Sequence, residues 1–165
     1  MSRENACCFS GHRYLDSDYS RSKLVGAVEA LIEKGVDTFI AGGALGFDTE
    51  VPLCILDLKK SHPQIKLHIY VPCQGQESRW SFSDKRQYKQ ILKKADFVDM
   101  PSYTYTKDCM KIRNYKMVDS AAYLITYYDG TYISGTGQTF RYARRSGLEI
   151  INLCPHFVEK RYGED

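Results

Sequence analysis

Apolar residues fall into two alternating patterns along this chain. Short runs rich in β-branched and aromatic residues are separated by longer stretches in which apolar positions recur every three or four residues, the spacing of one helix face. "ACCFSG" (6–11) predicts a first strand. The segment 20–35 carries Leu24, Val25, Val28, Leu31 and Ile32 at helical spacing and ends at Gly35, which suits a left-handed helix stop. Further strands are predicted at 36–43, 66–72, 96–101, 123–128 and 148–154, and helices at 47–63, 81–95, 107–122 and 139–147. Pro52 is tolerable only near the first turn of its helix, because it lacks the amide an inner turn needs. Ser83 is the expected cap of the helix that begins near residue 81. Met110, Met117, Val118 and Ala121 share one face of 107–122.

Strand and helix alternating six times predict one Rossmann-like α/β domain of three layers. It has a mainly parallel sheet of about six strands with helices on both faces, and it spans residues 1–155. Residues 156–165 read as a polar, loosely held C-terminal tail.

In such sheets ligands bind beyond the carboxyl ends of the strands, and that is where the polar chemistry collects. The first strand is followed by Ser10, Gly11, His12 and Arg13. The second is followed by "GGALGFD", with Gly42, Gly43, Ala44, Phe47 and Asp48. The third is followed by "PCQGQESRW", with Gln74, Glu77 and Trp80, and the fourth by "PSYTYT". The fifth is followed by "DGTYISGTGQTF", with Asp129, Ser134, Gly135, Thr136, Gly137 and Thr139. The opposite ends carry plain turns such as "EKGVD" and "RRSGLE".

Two of these loops are glycine-rich and run into helices, so free N–H groups and the helix dipole favour an anion, with Ser134, Thr136 and Thr139 as added hydroxyl donors. Tight structural turns are the plainer alternative. Neither loop is a Walker motif, and both miss G-x-G-x-x-G at one position. A hydride-transfer enzyme is therefore disfavoured. Arg113, with Asn114 beside it and Met117 one turn on, either clamps a phosphate or makes a surface salt bridge. Asp129 either accepts from a ribose hydroxyl or opens a turn with Gly130. Glu77, Asp129 and His12 are the candidate catalytic groups, with no local feature that selects among them.

Composition narrows the picture. Among 165 residues the net charge is +3, too small to imply nucleic acid by itself. The 13 tyrosines offer stacking surfaces, although most tyrosines simply sit half-buried. Six cysteines form no C-x-x-C pair and read as small buried hydrophobes, and the four histidines are scattered, so no metal site is expected. No apolar run approaches a membrane span and no signal peptide is visible, so the expected location is the cytoplasm.

Taken in order, "FSGHR", "AGGALGFD", "PCQGQESRW", "ILKKAD", "YTKDCMKIRNYKMVDSA" and "SGTGQTFRYA" resemble the YpsA-like family of the SLOG superfamily, from about Cys7 to Cys154. The resemblance implies a Rossmann-like domain that binds nucleotides or nucleotide-derived ligands. Within the superfamily, LOG enzymes cleave the N-glycosidic bond of cytokinin nucleoside monophosphates, other members sense NAD-related or ADP-ribose-related signals, and the DprA branch binds single-stranded DNA. Against the LOG motif P-G-G-x-G-T-x-x-E, Gly135 and Gly137 match the second and third glycines and Arg113 matches the upstream arginine. Ser134 replaces the first glycine, Gln138 the threonine and Arg141 the glutamate, so the phosphate cradle is kept and the carboxylate is lost. A cation there opposes an oxocarbenium-like transition state.

The leading expectation is a sensor or sequestering protein for a nucleotide-derived small molecule, of the ADP-ribose or cyclic nucleotide type, with no cofactor required. Phosphate would be held by the glycine loops, Arg113 and Arg13, and the base covered by a tyrosine, Phe47 or Trp80. The alternative is a hydrolase of a nucleotide N-glycosidic or phosphate bond. Single-stranded nucleic-acid binding is a further and less favoured one. Homodimers or larger assemblies fit the resemblance, and the helix face around Met110 and Met117 fits either such an interface or the core.

Overall fold

The computed structural model describes residues 2–161 and 163. After a short 3-10 turn, the strands are β1 (Ala6–Gly11), β2 (Thr38–Ala41), β3 (Lys66–Tyr70), β4 (Phe97–Asp99), β5 (Tyr123–Tyr127) and β6 (Glu149–Asn152). The helices between them are α1 (Arg21–Glu33), α2 (Phe47–Leu58), α3 (Phe82–Lys94), α4 (Cys109–Asp119) and α5 (Gly135–Arg145). All six strands are parallel, in the order β4-β3-β2-β1-β5-β6.

The two-residue period of the strands sorts side chains to the two faces. Cys7 and Phe9 of β1, Phe39 and Ala41 of β2, and Leu67 and Ile69 of β3 belong to one core cluster. That cluster also takes Leu24, Val28 and Leu31 from α1, Val51, Cys54 and Ile55 from α2, and Ile91 from α3. Ala6, Cys8, Ile40, Tyr70 and Leu124 point to the other face, where Met117 and Val118 of α4 and Ala143 of α5 cover them. The sheet is thus clad on both sides. All six cysteines are buried and unpaired.

The chain steps outward from β1 to the β4 edge, then returns through α4 to place β5 against β1. This reversal opens a crevice at the carboxyl ends of β1 and β5, where a parallel sheet binds ligands.

Several local expectations need correction. Ser81, not Ser83, caps α3: its hydroxyl accepts from the Asp84 amide at 3.1 Å. Helix α5 begins at Gly135, four residues earlier than expected, because the Ser134 hydroxyl accepts from the Gly137 amide at 2.9 Å. Pro52 lies in the second turn of α2, where its ring denies the Asp48 carbonyl its usual amide. Met110 is off the core face and 41% exposed, while Met117 is core.

The tail is tied down as far as Lys160. The Val158 and Lys160 amides donate to the Asp129 and Gly130 carbonyls at 3.2 Å each. Phe157 packs on Tyr128 and Phe140, with ring centroids 5.6 and 5.7 Å away. His156 sits between Asp16 and Asp18, at 3.3 and 2.9 Å. Residues 162, 164 and 165 of the expected tail lie outside the described residues.

Candidate functional site

At the crevice, the loop after β1 is pressed against the start of α2. A Cβ on Gly11 would come within 2.5 Å of the Phe47 ring. A Cβ on Gly46, which holds φ +80°, would come within 2.0 Å of the Arg13 carbonyl oxygen. The Phe47 amide donates to the His12 carbonyl at 3.2 Å, so the first free amide of α2 is used inside the protein. These contacts account for the second glycine loop structurally and remove part of its expected anion-binding capacity.

The amino end of α5 is different. Ser134 occupies one early amide and donates its own hydroxyl to the Thr131 carbonyl at 3.0 Å. The Gly135 and Thr136 amides have no partner among the described residues, and a Cβ on Gly135 would meet nothing within 4 Å. Two N–H groups and the positive end of the helix dipole therefore face an open crevice.

Arg113 enters from α4. It makes no surface salt bridge: the residue is only 7% exposed. Nη1 donates to the Gly42 carbonyl at 2.7 Å and to the Tyr70 carbonyl at 3.1 Å, and Nε donates to Asn114 Oδ1 at 2.8 Å. Among the described residues Nη2 has only the Met110 sulfur, at 3.8 Å. No carboxylate lies within 4 Å among the described residues, which leaves a buried cation braced by carbonyls with one end underused. Gly42 is required for this arrangement, since a Cβ there would sit 2.5 Å from Arg113 Nη1.

Asp48 is the acid nearest in influence. Burial pushes its carboxyl up to about 6, against the opposing charge of Arg113 and a bond from the Ala44 amide. Its Oδ1 is buried without a partner. Burial in turn lowers the pKa of Arg113, and Asp48 offsets part of that.

The crevice, about 380 Å³, is lined by Ser10, Gly11, His12 and Arg13 from the β1 side, and by Ala44 and Asp48 from the β2–α2 loop. Trp80, Arg113 and Asn114 form another wall, and Ser134, Gly135 and Thr136 close it. Trp80 is braced edge-on by Tyr88, ring centroids 5.2 Å apart. Arg13 is exposed and makes no ion pair among the described residues.

Other candidates stand elsewhere. Phe47 is fully buried against Phe9, Tyr19 and Tyr127, so it cannot cover a base. Met117 is likewise core. Gly43 packs toward Ile69 and Tyr88, and Gly137 and Thr139 serve the first turns of α5 through bonds to Ser134 and Gly135. Gln74 is exposed, its amide donating to the Tyr103 carbonyl at 2.9 Å. Glu77 does not line the crevice.

Asp129 stands behind His12. His12 Nε2 lies 3.2 Å from the Asp129 amide and 3.1 Å from Oδ1, so it accepts from the amide when unprotonated and donates to the carboxylate when protonated. Burial pushes the Asp129 carboxyl up, but bonds from Thr131 and the His12 charge outweigh it and leave the pKa below its ordinary value. Of the three catalytic candidates, two meet here, and only His12 lines the crevice. Arg141 stacks on Tyr132, 3.9 Å from its ring centroid, outside the crevice.

Sequence reasoning passed over Gln76 and Leu45, which also line the wall, and assigned Met110, a third lining residue, to the core or an interface. Gln76 lay inside "PCQGQESRW", two residues after the glutamine singled out, and nothing in the sequence distinguished the two. Its Nε2 donates to the Tyr88 hydroxyl at 3.1 Å, while Oε1 is buried without a partner.

The fold resembles DNA processing protein A. The Helicobacter pylori protein, described for its single-stranded DNA binding mode, superposes with a TM-score of 0.67 at 16% identity, over 99% of this chain and 69% of that one. The Streptococcus pneumoniae protein gives 0.62 at 18% identity, over 88% of this chain and 48% of that one. In sequence, the SPbeta prophage-derived protein YoqJ of Bacillus subtilis is 34% identical, over 83% of this chain and 88% of its own length. A UPF0398 protein of Halalkalibacterium halodurans is 31% identical, over 93% of this chain and 85% of its own. The YpsA model, described as the YspA SLOG family, matches residues 16–146. With a matching segment that covers most of the domain, the chain belongs to the YpsA family of SLOG proteins.

Proposed function

We propose that the protein binds a nucleotide-derived small molecule whose phosphate sits between Arg113 and the amino end of α5. One observation carries this reading: Arg113 is buried, braced by two carbonyls and without a carboxylate partner among the described residues, yet lines an open crevice. Asp48 offsets only part of the burial cost of Arg113 and makes no salt bridge to it, so an anionic ligand in the crevice would offset more. The unpaired Gly135 and Thr136 amides supply the second half of the cradle. Trp80 supplies a flat apolar surface for a base. ADP-ribose derivatives and cyclic nucleotides are the ligand types that fit, and the role is sensing or sequestration.

Hydrolysis is less well supported. Arg141 matches the position of the LOG glutamate and stacks on Tyr132 rather than lining the crevice, and the His12–Asp129 pair is the remaining acid–base candidate. Single-stranded nucleic acid is a second reading, favoured by the fold shared with DNA processing protein A of Helicobacter pylori. Calorimetric titration with ADP-ribose and with oligothymidylates of increasing length separates the two. The proposal predicts saturable ADP-ribose binding that is lost in Arg113→Met. Affinity that rises with oligonucleotide length and falls steeply with salt would favour the strand.

A further inference from the structure

We infer that the ligand has two ends: a phosphate bridge joins one ring system in the crevice to a second in an adjoining cavity. This deepens, and rests on, the phosphate-binding reading above. The adjoining cavity is the larger, at about 550 Å³, and shares Arg13, Gln76, Trp80 and Met110 with the crevice as a common wall. The crevice alone lies near the lower end of ligand-sized pockets, and the pair extends well into that range.

The chemistry of the second cavity is that of a ring site with a cation. Tyr105 is 71% exposed and lines it together with Met110 and Trp80, so apolar surface is left facing water where a flat ring would cover it. Stacking on aromatic side chains accepts any base. Arg79 is exposed, lines the same cavity and makes no ion pair or hydrogen bond among the described residues. Arg113, Arg13 and Arg79 therefore mark the crevice, the common wall and the second cavity in turn. A single phosphate can satisfy the first of these positions. A bridge of two phosphates also reaches the cation on the common wall and directs the distal ring toward Tyr105.

The test compares AMP with diadenosine diphosphate, followed by calorimetry and by the fluorescence of Trp80, the single tryptophan of the chain. The proteins are wild type and an Arg79→Ala/Tyr105→Ala double variant, whose altered side chains are both exposed. The inference predicts that wild type binds diadenosine diphosphate at least tenfold more tightly than AMP. In the double variant that advantage collapses while AMP affinity is unchanged. Equal affinity for the two probes, or a variant that weakens both alike, overturns the inference and leaves the phosphate site standing. If neither probe binds, both fall. Oligothymidylates whose affinity keeps rising beyond two units would also overturn it, making the second cavity part of a strand track.

Discussion

Replacing Asp48 by Asn should stabilise the protein at neutral pH, by an amount that fades with acid. Burial raises the Asp48 carboxyl from 3.8 to about 6 in the folded protein. Between about pH 4 and pH 6 the folded chain holds a proton that the unfolded chain has released, so this group's contribution to stability falls as pH rises through that window. Above pH 6 the ionised carboxylate costs the full difference of roughly two pKa units, or about 3 kcal/mol. At pH 4.5 the same relation leaves about 1 kcal/mol. Asparagine does not titrate and keeps the shape of the aspartate. Urea unfolding of wild type and Asp48→Asn at pH 7.5 and pH 4.5 isolates this contribution, because other titrating groups cancel in the difference. The expected result is a stabilised variant at pH 7.5, with the gain reduced by about two-thirds at pH 4.5. A variant that is destabilised at pH 7.5, or a difference independent of pH, would show that Asp48 is an ordinary ionised partner of Arg113.

Other outcomes follow from the same geometry. ADP-ribose keeps its phosphate charges across this pH range, so its affinity should fall between pH 5 and pH 7.5 as Asp48 ionises beside the anion, and Asp48→Asn should flatten the profile in calorimetry. Gly46→Ala should destabilise the protein in urea unfolding by more than the roughly 1 kcal/mol scale of a tolerated glycine change, since its Cβ would strike the Arg13 carbonyl oxygen at φ +80°. Phe157→Ala should cost about 1–3 kcal/mol in urea unfolding by uncovering Tyr128 and Phe140, whereas a loosely held tail would show no change. Arg141→Glu should not create nucleotide cleavage detectable by chromatography, because residue 141 lies outside the crevice.

The layering was legible because it follows from local pattern. In "ACCFSG" alternate residues serve opposite cores, and the helix spacing of Leu24, Val28 and Leu31 marks a single buried face. Where glycine and serine cluster, pattern misleads. Gly135 and Gly137 read as loop residues, yet the Ser134 cap starts the helix among them. Phe47 follows a glycine loop and reads as a cover for a ligand, but Gly11 leaves room for its ring to turn into the core. The setting of Arg113 is not local at all. It depends on α4 crossing back over the sheet to bring residue 113 to the Gly42 and Tyr70 carbonyls, contacts separated by 71 and 43 positions in the chain. Spacing on one helix cannot distinguish that from a surface salt bridge.

The central claim is a compact nucleotide ligand held at Arg113, and native mass spectrometry of the purified protein tests it most directly. Wild type should carry a nucleotide-sized adduct, either as isolated or after incubation with a nucleotide panel, and heat should release it intact; Arg113→Met should carry none. A bare wild-type protein after that incubation, or release of a free base or sugar phosphate, would contradict the account.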